Sequence, residues 1–522
     1  MAKKDQFIET IQNGYPDAEG SLVLGGAMYE GTCQTGTLVR IPLKTLNRHG
    51  LIAGATGTGK TKSLQLLAEQ LSANSVPVLL MDIKGDLSGI AASGGENPKA
   101  VDRAQKIGIA WHADTHPVEL LTLSNEKGAR LRATVTEFGP VLFSKILGLN
   151  DTQSGAVSLV FKYCDDKQLP LLDLKDFKKT LSYLADEGKA EIAAEYGAVS
   201  PATVGAIIRK VLELEQQGAE IFFGEPSFDV DDLCRVDMET GKGVISIIRL
   251  TDVQDRPKLF STFMLQLLAE VYASFPEEGD LDAPKLCIFI DEAHLVFQEA
   301  SQALLDQLEA IIKLIRSKGV GIFFITQNPA DIPNAILGQL GLKVQHALRA
   351  FTAKDRKDIK LAAENYPLSD FYDIADALTT LGIGEAFVTA LNTKGIPTPL
   401  VHTMMRPPAS RMDVLTPMEI DALVGHSKLA AKYNQNTDPQ SAYEMLTAKI
   451  QQAQVAEQQE TLRQQQAKAD AEMAKRQAQA KPEKSVVEQV LTSRVGKQVT
   501  QTIFKEITRG LLGVLGLGGR RR

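Results

Sequence analysis

The chain has 522 residues, 44% of them hydrophobic and 23% charged, so it can bury a sizeable core and is not an intrinsically disordered polypeptide. A formal net charge of −7 removes any global electrostatic case for nucleic acid and leaves only a local basic channel for that role. Cys33, Cys164, Cys234 and Cys287 stand far apart without a C-x-x-C pair, which argues against zinc and disulfides and fits a reducing cytoplasm; no run reaches the ~18 apolar residues of a membrane span, and MAKKDQF lacks a secretory core.

Residues 1–47 hold short apolar pieces at 21–24 and 37–41, separated by glycine, which read as a small strand or ribbon element. From His49 the pattern changes to β-branched runs, each closed by a polar tip, at 50–53, 78–83, 243–250, 286–290, 320–326, 344–351 and 385–391. Apolar runs without alternation suit strands buried on both faces of a mostly parallel sheet, and the segments between them are long enough for crossover helices. The fold class is therefore α/β, doubly wound, over residues 48–406. Between about 125 and 232 the strand signal fades, while LLDLKDFKKTLSYLADEG and PATVGAIIRKVLELEQQG carry apolar residues at helical spacing, a helical insertion in the sheet domain.

After Pro407-Pro408 comes a connecting helical segment, 407–440. Residues 441–484 are rich in Gln, Ala, Lys and Glu, and Leu446, Ile450 and Leu462 sustain no heptad, so a solvated helix or linker is expected rather than a coiled coil. In 485–522, Val495, Val499, Ile503, Ile507 and Leu511 recur at four-residue steps before a basic end at Arg520, Arg521 and Arg522. That helix is expected to pack on protein, because its polar face is mixed in charge rather than strongly basic.

The octapeptide Gly54-Ala55-Thr56-Gly57-Thr58-Gly59-Lys60-Thr61 satisfies G-x-x-x-x-G-K-[ST] between the strand-like LIA and the helical SLQLLAEQL. Backbone N–H groups of such a loop and the positive end of the following helix cradle phosphate. Lys60 is expected on the β- and γ-phosphates of ATP and the Thr61 hydroxyl on Mg²⁺. Asp291 and Glu292 end the run LCIFI; the first is expected to hold magnesium and the second to activate water. His294 reads as a helix N-terminal residue and not as a catalyst, although residues 291–294 spell DEAH. Gln327, after GIFFIT and ahead of Asn328-Pro329, is a candidate sensor of the γ-phosphate, with turn initiation as the alternative. Asp82, in MDIKGD, is either a magnesium partner or a turn residue. Arg316 is the candidate for an arginine supplied to a neighbouring subunit, and Arg349, in VQHALRAF, is its rival.

Read in order, GATGTGKT, MDIKGD, IDEAH, IRSKGVGIFFITQNP and the ALR segment make the chain resemble the HerA/FtsK superfamily, more closely its HerA-like C-terminal-domain family, over about residues 48–406. The MDIKGD element is similar to one in conjugative coupling ATPases. The resemblance implies a RecA-like core, ATP and Mg²⁺ as cofactors, a homo-hexameric ring with nucleotide between neighbours, and hydrolysis coupled to DNA movement. It also implies Walker A, Walker B and sensor roles for Lys60, Thr61, Asp291, Glu292 and Gln327, and an arginine finger at Arg316. HerA proteins carry a β-barrel before this core, which the 53 residues ahead of Gly54 barely accommodate. Three functions follow: a DNA translocase or helicase, an ATP-switched protein that engages a partner through its C-terminal tail, and a small-molecule kinase. The glutamate after Asp291 favours water over a metabolite as acceptor and ranks the kinase last.

Overall fold

Burial on both faces organises the chain around one sheet. The computed structural model describes residues 3–252, 256–279, 281–297, 302–435, 437 and 439–479. The strands are β1 (Ser21–Tyr29), β2 (Thr32–Pro42), β3 (Gly50–Ala53), β4 (Val78–Asp82), β5 (Val118–Thr122), β6 (Ala129–Arg130), β7 (Ile245–Arg249), β8 (Leu286–Ile290), β9 (Val320–Thr326), β10 (Leu342–Gln345), β11 (Glu385–Thr389) and β12 (Val401–Met405). They form a 12-stranded sheet in the order β2-β1-β12-β11-β10-β3-β9-β8-β4-β7-β5-β6.

From β10 through β6 every neighbouring pair is parallel, whereas β11, β12, β1 and β2 extend the sheet antiparallel. All residues of β3, β4, β8 and β9 are buried, as apolar runs without alternation require. Phe289 and Phe323 stack across β8 and β9 with ring centroids 4.6 Å apart.

The amino-terminal region differs from a purely β element. Residues Lys3–Gly14 form a helix that buries Phe7 and Ile11, one turn apart, and β1 and β2 join the main sheet through β12. β10 also differs from the expected run 344–351: it stops at Gln345. There the His346 amide donates to Ala53 O at 2.7 Å and Ala347 O accepts from Ala55 N at 2.8 Å, so the chain tracks the turn after β3 instead of continuing toward β11.

The expected helical insertion contains Val135–Ile146, Asp151–Lys167, Leu174–Ala185, Lys189–Glu195 and Pro201–Gln216. Three of these begin with capping boxes, Thr134 with Glu137, Asn150 with Gln153 and Asp173 with Asp176. Phe143 and Phe177, with centroids 4.8 Å apart, sit in its aromatic core.

The chain divides into two compact units, Met1–Thr447 and Ala448–Arg522. In the second, the described residues continue the helix Ala442–Gln479, and every residue from 451 to 476 is exposed, the solvated helix its composition suggests. The amphipathic pattern at 485–522 lies outside the described residues. Among the described residues no helix is long and apolar enough to cross a membrane.

Candidate active site

Residues 54–59 turn between β3 and the helix Lys60–Ala73, and the turn depends on glycine at two places. Gly54 has φ +150°, and a Cβ there would lie 2.5 Å from His346 Cβ. Gly59 has φ +116°, and a Cβ there would meet Gly384 Cα at 3.2 Å. The loop is braced from three sides: Gly54 N donates to Thr326 O at 3.3 Å, Ala55 N to Ala347 O at 2.8 Å, and Gly384 N to Thr58 O at 2.9 Å. The Thr58 hydroxyl, 1% exposed as a residue, closes the loop internally on Ala55 O at 2.7 Å. The Thr58 side chain thus braces the cradle from within.

Lys60 is buried, and its Nζ donates to Gly54 O at 2.6 Å and to Ala55 O at 3.1 Å. Burial, reinforced by Lys84, holds its pKa below the usual lysine value, while Glu292 and Asp291 pull the other way. Thr61 is half-buried in the first turn of the same helix.

The acidic pair follows β8. β3 and β8 flank β9, with Ala53 opposite Thr326 and Ile290 opposite Phe324, so all three strands end at one edge. Ala293 N donates to Ile325 O at 2.9 Å and folds the turn against β9. Asp291 and Glu292 are both buried, and Glu292 sits at φ +46°, left-handed backbone that a glutamate seldom adopts. Burial pushes the Asp291 carboxyl up to about 6, with Lys84 opposing and Glu292 reinforcing the shift. Burial acts on Glu292 in the same direction, but Lys84, His294 and Lys60 outweigh it and hold that carboxyl below its ordinary value.

Lys84 is a residue the sequence reading passed over. Its ammonium forms an ion pair with Glu292 Oε1 and lies 4.0 Å from Asp291 Oδ2. The signal was its place in MDIKGD, at the tip of the strand beside β8. Asp82 closes the turn after β4: its carboxylate accepts from the N–H groups of Gly85 at 2.7 Å, Asp86 at 3.2 Å and Leu87 at 3.1 Å, and burial raises its pKa to about 6. His294 begins a short helix, His294–Phe297, as expected, and its Nδ1 also lies 3.2 Å from Glu292 Oε2.

Gln327 is exposed at the tip of β9 and lines a cavity of about 510 Å³ with Ala55, Thr56, Asn328, Arg349, Phe351 and Asp355. The turn-capping role falls to its neighbour: Asn328 Oδ1 accepts from Ala330 N at 3.1 Å, and Asp331 accepts from Asn328 N at 3.2 Å and Thr326 Oγ1 at 2.6 Å. Arg349 therefore stands beside the phosphate loop of its own chain. Arg316 is exposed at the other end of β9, about 20 Å away along seven strand residues, close enough to His49 to help depress that ring's pKa.

The family described as Helicase HerA-like C-terminal matches residues 29–522. The chain belongs to this family. Its loop at 54–61 follows β3 near the middle of the parallel part of the sheet. Among curated relatives, a DNA double-strand break repair helicase HerA of Sulfolobus acidocaldarius is 23% identical over 69% of this chain and 66% of its own length. The protein of the same name from Sulfurisphaera tokodaii is 23% identical over 69% of this chain and 67% of its own. The HerA-like chain thus spans about two thirds of these relatives. A solved structure of VirB4 from Thermoanaerobacter pseudethanolicus is 16% identical, with TM-score 0.48, over 78% of this chain and all (100%) of that one.

The donors at the edge of this HerA-like sheet fit magnesium. They are the Thr61 hydroxyl, in the first turn of the helix after the loop, and the buried Asp291 carboxylate, 4.0 Å from Lys84. Among the described residues no three or more His, Cys, Asp or Glu converge as a metal site. Magnesium ordinarily takes only one or two protein oxygens and completes its shell with phosphate and water.

Proposed function

We propose that this HerA-like chain hydrolyses ATP to drive movement along DNA, as a homo-hexameric ring in the cytoplasm. The observation that carries the reading is the nearness of Lys60 to Asp291 and Glu292 at the shared edge of β3, β8 and β9, with Gln327 directly after β9. Residues 54–61 bind the phosphates, with Lys60 leaving the loop carbonyls for the β- and γ-phosphate oxygens. Thr61 and Asp291 hold Mg²⁺, which when bound screens the phosphate charge. Glu292 takes the proton of the attacking water, and Gln327 orients that water from the far side. Arg316, a strand length from its own phosphate loop, acts on the nucleotide of a neighbouring copy, where such an arginine accelerates transfer by about 10³–10⁵. The names of the archaeal relatives support DNA as the track.

The test is ATP turnover with and without single- and double-stranded DNA, at two salt concentrations, alongside the mass of the assembly. DNA is expected to stimulate turnover and ring formation, and salt to weaken both as counterions compete for phosphate contacts. Flat turnover across DNA types and salt would reject DNA as the track. A second reading, ATP-controlled capture of a protein through the tail, is favoured by the exposed helix ending at Gln479. Removing residues 441–522 is then expected to abolish capture and spare basal turnover.

A further inference from the structure

Lys84 stands where a metal would do the same electrostatic work. It reaches the acidic pair from the cleft: its side chain is 35% exposed, while those of Asp291 and Glu292 are 5% and 8% exposed. Adjacent carboxylates buried without a counter-charge repel each other, so in the nucleotide-free chain this ammonium holds the turn together. It also engages Glu292 Oε1, and an oxygen committed to an ion pair is a poor acceptor for a water proton. Oε2, buried and without a hydrogen bond, faces His294 Nδ1 at 3.2 Å. Two residues further along the same loop, Asp86 Oδ1 is likewise buried and unbonded, and Asp86 is among the charges acting on Lys84. A displaced ammonium therefore has a second anionic neighbour within its reach.

We propose that Lys84 is a positioning residue that latches Glu292 and neutralises Asp291 in the empty site, and that the arriving magnesium nucleotide displaces it. The proposal rests on the ATPase reading. Lys84 and Mg²⁺ compete for the same carboxylates, so the metal demand of nucleotide binding and the readiness of Glu292 are set by one side chain. Release of the latch is then the step a translocation track can accelerate.

The test uses the full chain with Lys84→Met, which keeps the aliphatic stem and deletes the charge, and Lys84→Arg, which keeps the charge. Mg²⁺ is titrated against a fixed concentration of fluorescent ADP, and basal ATP turnover is measured without DNA. The free Mg²⁺ for half-saturation is expected to fall several-fold in Lys84→Met and basal turnover to rise, with Lys84→Arg near the wild type. A lysine that only supports the fold would move both in the opposite direction. An unchanged or raised Mg²⁺ requirement overturns the proposal, and so does unchanged or lower basal turnover. If Lys84→Met fails to fold, Lys84→Gln carries the same expectation. A wild-type chain that binds ADP with Mg²⁺ but hydrolyses nothing sinks the ATPase reading instead, and the metal titration still decides the role of Lys84.

Discussion

The Ser63 hydroxyl lies 2.9 Å from His346 Nε2, and the other nitrogen of that ring lies 2.9 Å from Glu385 O. A carbonyl only accepts, so Nδ1 carries the proton and Nε2 accepts from serine. Burial holds the ring's pKa down to about 4, which keeps it neutral at pH 7 and able to play both parts. His346 thereby ties the first turn of the phosphate-loop helix to β11, and its Cβ occupies the space that a side chain at position 54 would need.

His346→Leu leaves a buried hydroxyl and a buried carbonyl without partners, a loss of about 1–3 kcal/mol of stability. Because the bonds it removes brace the phosphate loop, ATP affinity is expected to fall together with the melting temperature. Calorimetry and nucleotide titration on one preparation check this. A variant that melts lower but binds ATP as before would show that the ring supports the fold and not the loop.

Lys60 and Glu292 separate binding from chemistry. Lys60→Ala deletes charge-assisted bonds to phosphate worth about 1.5–3 kcal/mol, hence roughly 10- to 100-fold in affinity. Glu292→Gln keeps the side-chain volume and removes the base, so ATP stays bound while turnover drops by about 10²–10⁴. Filter binding and phosphate release distinguish the two. Normal turnover in Glu292→Gln would assign the base elsewhere.

Gln327 and Asn328 are expected to separate in the same way. Asn328 caps the turn after β9, and replacing a cap by alanine costs about 1 kcal/mol. Gln327 faces the cavity, so Gln327→Ala is expected to leave the melting temperature unchanged and to slow single-turnover hydrolysis. A lower melting temperature in Gln327→Ala with normal hydrolysis would reverse the assignment.

The sheet centre was legible because β3, β4, β8 and β9 are buried on both faces and read as unbroken apolar runs, and the glycine loop and the acidic pair follow β3 and β8. β12 was not: its burial alternates along Val401–Met405, a pattern set by its pairing with β11 and β1. β6 is a two-residue edge strand, and β5 beside it pairs on its other side with β7, far along the chain. The loop brace at His346 and the ion pair at Lys84 arise from contacts across 283 residues in one case and between the ends of neighbouring strands in the other, which no local pattern encodes. The helix Lys3–Gly14 was legible in principle, through Phe7 and Ile11 one turn apart.

Three buried histidines make stability depend on pH in a calculable direction. His49 accepts from Ile322 N at 3.0 Å and donates to Ile312 O across 2.8 Å, His116 Nδ1 lies 3.0 Å from Ser72 Oγ, and burial lowers the pKa of both, as of His346, to about 4. A base whose folded pKa is depressed contributes full stability above its unfolded value near 6.5. That stability is lost as pH falls toward 4, because the unfolded ring takes a proton that the folded ring refuses. Asp82 and Asp291, raised to about 6, act oppositely and stabilise the fold as pH falls through that value. At pH 5 the histidines cost about 2 kcal/mol each and the aspartates return about 1 each, so the nucleotide-free protein is expected to be less stable at pH 5 than at pH 7. Urea unfolding at both pH values measures the difference. His116→Asn, far in sequence from the phosphate loop, is expected to shrink it by about 2 kcal/mol; an undiminished difference would show that the His116 ring is already charged in the folded chain.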